Sequence, residues 1–335
     1  MPKIVFIPKQ PDAILDMARK LTPPGFELVV VDQDTPEFYE AIKDAEYVMG
    51  LGRPIAGEFF RSAPKLKLVQ LLSAGYDRVD VEAARKAKVP VANNGGANAI
   101  AVAEHTVMLM LAVCKQLVWQ HKMTSSGAWR GNDWTSKKLY ELSGKTLGIV
   151  GLGNIGKKVA RIAKGFGMNV LYNDIVRLNE DAEDALGARF RLLREVLQAS
   201  DIVSLHVPLT DATHHMMNAE TLKLMQPHAI LINTCRGPVV DEPALHRALT
   251  GGTIQAAGLD VFDEEPTPSN NPLLGLENVV LTPHLAGLSA DNRAKGFRNA
   301  FDNVQRVERG ELPLWVVPEL QDVLRKGGYA GHSST

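Results

Sequence analysis

The chain has 335 residues, more than one hydrophobic core usually serves, so two domains are expected. A formal net charge of -1 gives no bulk pull toward nucleic acid or an anionic membrane, and no apolar run is long enough for a spanning helix. Two cysteines, Cys114 and Cys235, are too few for a disulfide framework or a cysteine metal site, and the N-terminus enters a strand-like stretch without a signal-peptide pattern, so a soluble cytoplasmic protein is expected.

Along the chain, short apolar runs alternate with helical patterns, the mark of parallel sheets covered by helices on both faces. The first set of strand candidates is KIVFI (3–7), ELVVV (27–31), EYVMG (46–50), LKLVQLL (66–72) and VPVANN (89–94). The second is TLGIVG (146–151), NVLYND (169–174), DIVSLHVP (201–208), AILINT (229–234), AAGLDV (256–261) and VVLTPH (279–284). Two long helical segments, about 98–120 and 289–310, bracket the second set. The first is apolar nearly all round and should be buried between the domains. If the second leads back to the first sheet, the N-terminal domain is discontinuous, 1–98 with 290–335, and 99–289 is inserted into it. The Gly/Ser-rich tail RKGGYAGHSST is expected to be loose.

Between TLGIVG and the helix that follows lie Gly151, Gly153 and Gly156. Glycines at this spacing give a tight turn, close backbone approach to a pyrophosphate and close packing of helix on strand. The start of that helix, at Asn154 and Ile155, offers N–H groups and a positive dipole end to phosphates. The next strand ends in Asp174, where a carboxylate can accept from the adenosine ribose hydroxyls and repels a 2′-phosphate, which favours NAD over NADP. Arg177 either softens that preference or is a solvated loop residue.

Three further side chains stand at the ends of strands of the second set: Arg236 after AILINT, Glu265 after AAGLDV and His284 closing VVLTPH. Ligands of open α/β sheets bind at that edge. An arginine beside a buried strand needs an anion. Asp241 or Asp260 could supply one, or a substrate could. Taken singly, Glu265 could belong to a solvated acidic run and His284 could be a hydrogen-bonded core residue. Their convergence on one edge is what suggests a site.

At this point the sequence closely resembles the D-isomer-specific 2-hydroxyacid dehydrogenase family. The likeness is carried by GKTLGIVGLGNIGKKVA (144–160), ASDIVSLHVPLTDATHHMMNAETLKLMQP (199–227), LINTCRGPVVDEPALHRAL (231–249), AAGLDVFDEEP (256–266) and LTPHLAG (281–287). LLSAGYDRVDV (71–81) and AVAEHTVMLML (101–111) also look like family segments. The resemblance implies a Rossmann dinucleotide-binding domain inserted into a flavodoxin-like substrate domain. It implies that Arg236 binds the carboxylate and keto oxygen of the substrate, that Glu265 holds the imidazole of His284, and that His284 is the general acid/base. A neighbouring carboxylate favours the charged ring, which can give its proton to the C2 oxygen as hydride reaches C2. By the same likeness, backbone N–H groups around Ala74 and Gly75 hold the other side of the carboxylate. Thr106, His206, Val207, Pro208, Thr234, Cys235, Asp260 and Gly287 would line the NAD pocket together with Arg236 and His284. Asp260 would accept from the nicotinamide amide, unless it pairs with Arg236.

Arg53 in MGLGRP either meets a polar group of the substrate or is a loop arginine in water. Trp129 and Trp134 are expected at a loop or subunit contact. The adjacent His214 and His215 lack acidic or cysteine ligands at metal spacing and read as a solvated helix start. The resulting expectation is an NAD-dependent reductase of small 2-keto acids such as glyoxylate or hydroxypyruvate, a homodimer without metal, nucleic acid or membrane. The alternatives are oxidation of another small donor, as in the formate and phosphite branches, and an NAD-sensing corepressor.

Overall fold

The computed structural model describes residues 1–50, 54–130 and 137–326; Arg53 and Trp134 lie outside them. The chain divides into two compact units, Met1–Asn98 with Ala290–Thr335, and Ala99–Ser289.

In the first unit, β1 (Lys3–Ile7), β2 (Glu27–Val30), β3 (Tyr47–Gly50), β4 (Leu68–Gln70) and β5 (Val91–Ala92) form one sheet in the order β2-β1-β3-β4-β5. Every pairing is parallel, and the order 2-1-3-4-5 is the flavodoxin-like one. The inner strands read as continuous apolar runs because helices cover both faces, and Ile4 to Ile7 and Tyr47 to Met49 are buried throughout. The helix Ala290–Glu308 belongs to this unit and puts Phe297, Ala300, Phe301 and Val304 into its core. Phe297 meets Phe6 of β1 at 5.8 Å between ring centres. Buried Asn303 donates to Gln70 Oε1 of β4 at 2.8 Å, and Tyr47 of β3 donates to Glu308 at 2.6 Å.

The second unit holds β6 (Thr146–Val150), β7 (Asn169–Asn173), β8 (Ala188–Phe190), β9 (Ile202–Leu205), β10 (Ile230–Asn233), β11 (Ala256–Leu259) and β12 (Val279–Leu281). All pair parallel, in the order β12-β11-β10-β9-β6-β7-β8. The chain runs outward from β6 through β7 to β8, then returns to β9 on the other side of β6. That reversal is a topological switch point, and in open α/β sheets it opens a crevice at the carboxyl ends of the strands.

Two elements differ from the sequence expectation. The edge strand β8, ARF, was not among the predicted strands. The long helix expected over 98–120 is instead two helices, Ala99–Cys114 and Leu117–Ser125, bent by 65°. The break falls at Gln116, whose φ of 53° is left-handed and cannot continue a right-handed helix. Ile100 and Met108 are exposed on the first limb, Leu117 and Val118 on the second, and Trp129 lies beyond them, 81% exposed. Among the described residues, no single helix is long and apolar enough to cross a membrane.

Candidate active site

The glycine turn between β6 and the helix Asn154–Gly165 is sterically dictated. Gly151 has φ +94°, and a Cβ there would stand 2.7 Å from the carbonyl of His206. A Cβ on Gly156 would collide with the carbonyl oxygen of Gly151. Gly153 differs, because a Cβ there would meet nothing within 4 Å, and no side chain caps the helix that starts after it. The open space lies in front of uncapped N–H groups at Asn154 and Ile155, the arrangement that suits a pyrophosphate. At the end of β7, Asp174 accepts from Leu152 N–H at 2.6 Å through Oδ2 and from Val176 N–H at 3.0 Å through Oδ1. Its carboxylate is thereby held beside the glycine turn. These residues fit a dinucleotide.

His206 follows β9 and shares a hydrogen bond with Ser204 Oγ through Nε2 at 2.9 Å, while its Nδ1 is enclosed without a partner. Burial pushes this imidazole down to about 3, so it is neutral at working pH. Val207 is half-buried and Pro208 exposed.

At the end of β10 one residue that sequence reasoning overlooked organises the turn. Asn233 is fully buried; its Oδ1 accepts from Cys235 N–H at 3.0 Å and from the Cys235 thiol at 3.1 Å, and its Nδ2 donates to Arg236 O at 2.9 Å. Thr234 Oγ1 meets Thr106 Oγ1 at 3.0 Å, and both residues are buried. Cys235 is buried, and burial pushes its thiol up to about 11, which leaves it protonated and unreactive. Gly237 has no room for a Cβ, which would overlap the carbonyl of Phe262. This backbone contact sets the Arg236 turn against the Glu265 loop. Arg236 donates to Cys235 O at 2.6 Å, and its charge reaches Glu265.

Glu265 accepts from Phe262 N–H at 3.1 Å through Oε1 and meets His284 Nδ1 at 2.7 Å through Oε2. Burial works to raise this carboxyl. The hydrogen bonds from His284 and Phe262 and the charges of His284 and Arg236 outweigh it, so the pKa lies below the ordinary 4.5. A carboxyl depressed in this way adds stability above its unfolded value and loses it as pH falls through the folded one, so the pair fails on the acid side.

His284 lies three residues beyond β12 with φ 53°, a left-handed backbone unusual for a non-glycine residue. Asp260, fully buried after β11, secures it. His284 N–H donates to Asp260 O at 2.7 Å; Leu285 and Ala286 N–H donate to its carboxylate at 3.0 and 2.9 Å, and Thr282 Oγ1 at 2.6 Å. Burial opposes the charge of Asp260, yet His105, Thr282 and the two backbone donors hold its pKa below the usual value. The sequence expectation linked Asp260 to the nicotinamide amide or to Arg236; the structure adds its role as anchor of the His284 turn. Gly287 ends that segment, half-buried.

The second unit therefore brings Arg236, Glu265 and His284 together. Ala74 and Gly75 belong to the first unit, in the turn after β4, where Ala74 O accepts from Asn93 Nδ2 at 2.8 Å and Gly75 O from Ser73 Oγ at 2.7 Å. His214 and His215 correct the expectation of a helix start. Their rings stack at 3.9 Å in a turn, and the next helix begins only at Ala219, capped by Asn218.

Residues 107–286 match the family model described as D-isomer specific 2-hydroxyacid dehydrogenase, NAD binding domain. A glyoxylate reductase of Korarchaeum cryptofilum is 41% identical over 318 residues, 94% of this chain and 92% of that one. One of Pyrococcus furiosus is 44% identical over 295 residues, 87% of each. The crystal structure of a glyoxylate reductase from Paecilomyes thermophila matches with a TM-score of 0.84 at 28% identity, over 96% of this chain and 99% of that one.

Proposed function

The chain belongs to the D-isomer specific 2-hydroxyacid dehydrogenase family, and on that premise we propose that it reduces small 2-keto acids of the glyoxylate and hydroxypyruvate class, with D stereospecificity and NADH as reductant. The observation that carries the reading is the 2.7 Å contact of His284 Nδ1 with a charged Glu265 whose field includes Arg236.

In this reading Arg236 receives the substrate carboxylate and keto oxygen through its planar fork, which fixes the face of C2 offered for reaction. Glu265 fixes the ring of His284 through Nδ1, which leaves Nε2 to deliver a proton to the C2 oxygen. When bound, the dinucleotide supplies the hydride that adds to C2. The keto group thus gains one hydride and one proton and becomes a hydroxyl. In the opposite direction neutral His284 takes the hydroxyl proton back. Asp174 accepts from the ribose hydroxyls and disfavours a 2′-phosphate, which supports NAD as the preferred nucleotide.

The test is NADH oxidation over a panel of glyoxylate, hydroxypyruvate, pyruvate, phenylpyruvate and branched 2-keto acids, repeated with NADPH. The two smallest polar acids with NADH should give the highest kcat/KM. Absence of turnover with every 2-keto acid and both nucleotides would overturn the proposal.

Glu265→Gln provides a pH test of the pairing. An amide does not titrate, so the acid limb of the kcat/KM profile for reduction, set by protonation of Glu265 below its ordinary 4.5, should be lost. A limb that stays where the wild type has it would contradict the role given to Glu265.

A further inference from the structure

We infer that Glu183 sharpens the nucleotide preference by holding Arg177 away from the ribose site. This rests on the dinucleotide reading of the glycine turn and adds a residue that acts on it from outside. Arg177 lies in the loop that follows Asp174, where a cation could offset the carboxylate and accept a 2′-phosphate. The structure puts the two side chains on opposite flanks of β7. Asp174 faces β6, accepting from Leu152 N–H at 2.6 Å. Arg177 faces the other neighbour, β8, with its guanidinium over the ring of Phe190 at 5.5 Å.

What holds Arg177 there is unusual for a surface ion pair. Its side chain is 64% exposed, and an exposed pair alone fixes little. Its partner is different, because Glu183 is 4% exposed and accepts from Tyr172 OH at 2.9 Å as well as from Arg177 Nε at 3.3 Å. Burial opposes the charge on Glu183, but the Tyr172 and Arg177 hydrogen bonds hold its carboxyl below the usual range. The same Tyr172 hydroxyl accepts from Leu178 N–H at 2.9 Å and so pins the loop just past Arg177. Tyr172 in turn meets Phe190 edge to face at 5.6 Å. A buried carboxylate already held by Tyr172 and an aromatic face thus capture a long exposed side chain, and the ordering cost of the pairing falls mainly on Arg177. Glu183 is a positioning residue: it acts through Arg177 and touches no nucleotide itself.

The experiment measures dissociation constants of NADH and NADPH by nicotinamide fluorescence at low salt, for the wild type and four variants. Glu183→Gln keeps a hydrogen-bonding amide beside Tyr172 but removes the charge that draws Arg177. It should tighten NADPH relative to NADH by about fivefold, the scale of one exposed charge contact. Adding Arg177→Ala to it should return the ratio to the wild-type value, and Arg177→Ala alone should leave the ratio unchanged. Phe190→Leu, which removes the ring beneath the guanidinium, should shift the ratio in the same direction as Glu183→Gln and serves if the latter does not fold. The inference is overturned if Arg177→Ala alone weakens NADPH while sparing NADH, since the guanidinium would then already serve the phosphate. It is equally overturned if freeing Arg177 leaves the ratio as it was. A wild type that binds neither nucleotide would instead remove the dinucleotide reading itself.

Discussion

Arg236→Ala is expected to lower kcat/KM for 2-keto acids by on the order of a thousandfold, about 4 kcal/mol, while the affinity for NADH stays within a factor of about two. The size follows from losing both the bidentate hold on a carboxylate and the orientation of C2. The selectivity follows from the local structure. The turn is shaped by Asn233, which binds Cys235 and Arg236 through their backbones, and by Gly237 against Phe262, so removing the guanidinium leaves the backbone in place. The glycine turn and Asp174 stand on other strands. Steady-state kinetics beside a fluorescence titration of NADH would show the split. Retained activity with lost NADH affinity would be the opposite result and would remove Arg236 from the substrate.

His284→Asn should reduce kcat by about 10²- to 10⁴-fold, the usual contribution of a positioned acid/base, and flatten the pH profile. Asparagine is chosen because position 284 has φ 53°, and asparagine tolerates a left-handed backbone better than alanine does. The Asp260 anchor, made to backbone N–H groups and to Thr282, is untouched by the change. Thermal melting should therefore fall only by what the lost Glu265 pairing contributed, with the turn itself intact, and loss of activity can be assigned to the missing imidazole. A variant that keeps both its rate and its pH dependence would show that the ring takes no part.

Much of this molecule could be read from its residues because parallel strands covered on both faces must be apolar almost continuously. Runs such as KIVFI and AILIN leave few alternatives. The strand β8 escaped because it lies at an edge; Ala188 is buried but Arg189 is exposed, so no apolar run marks it. The break at Gln116 escaped because VCKQLVW continues the apolar pattern across it, and periodicity carries no information on one residue's φ. The site divided in the same way. Arg236, Glu265 and His284 were visible as polar residues at the ends of apolar runs. Asn233 was hidden inside one, and the hold of Asp260 on the His284 turn runs largely through backbone N–H groups that no residue type advertises.

The corner at Gln116 bears on the shape of whatever covers the exposed apolar side chains around it. One straight rod would have strung these exposed apolar side chains along a single axis. Here Ile100 and Met108 sit on one limb and Leu117 and Val118 on another, turned by 65°. A single straight helix laid alongside can follow one limb only, so a neighbour that shields both must reach along two directions, and its fit would select for shape before it selected for greasiness.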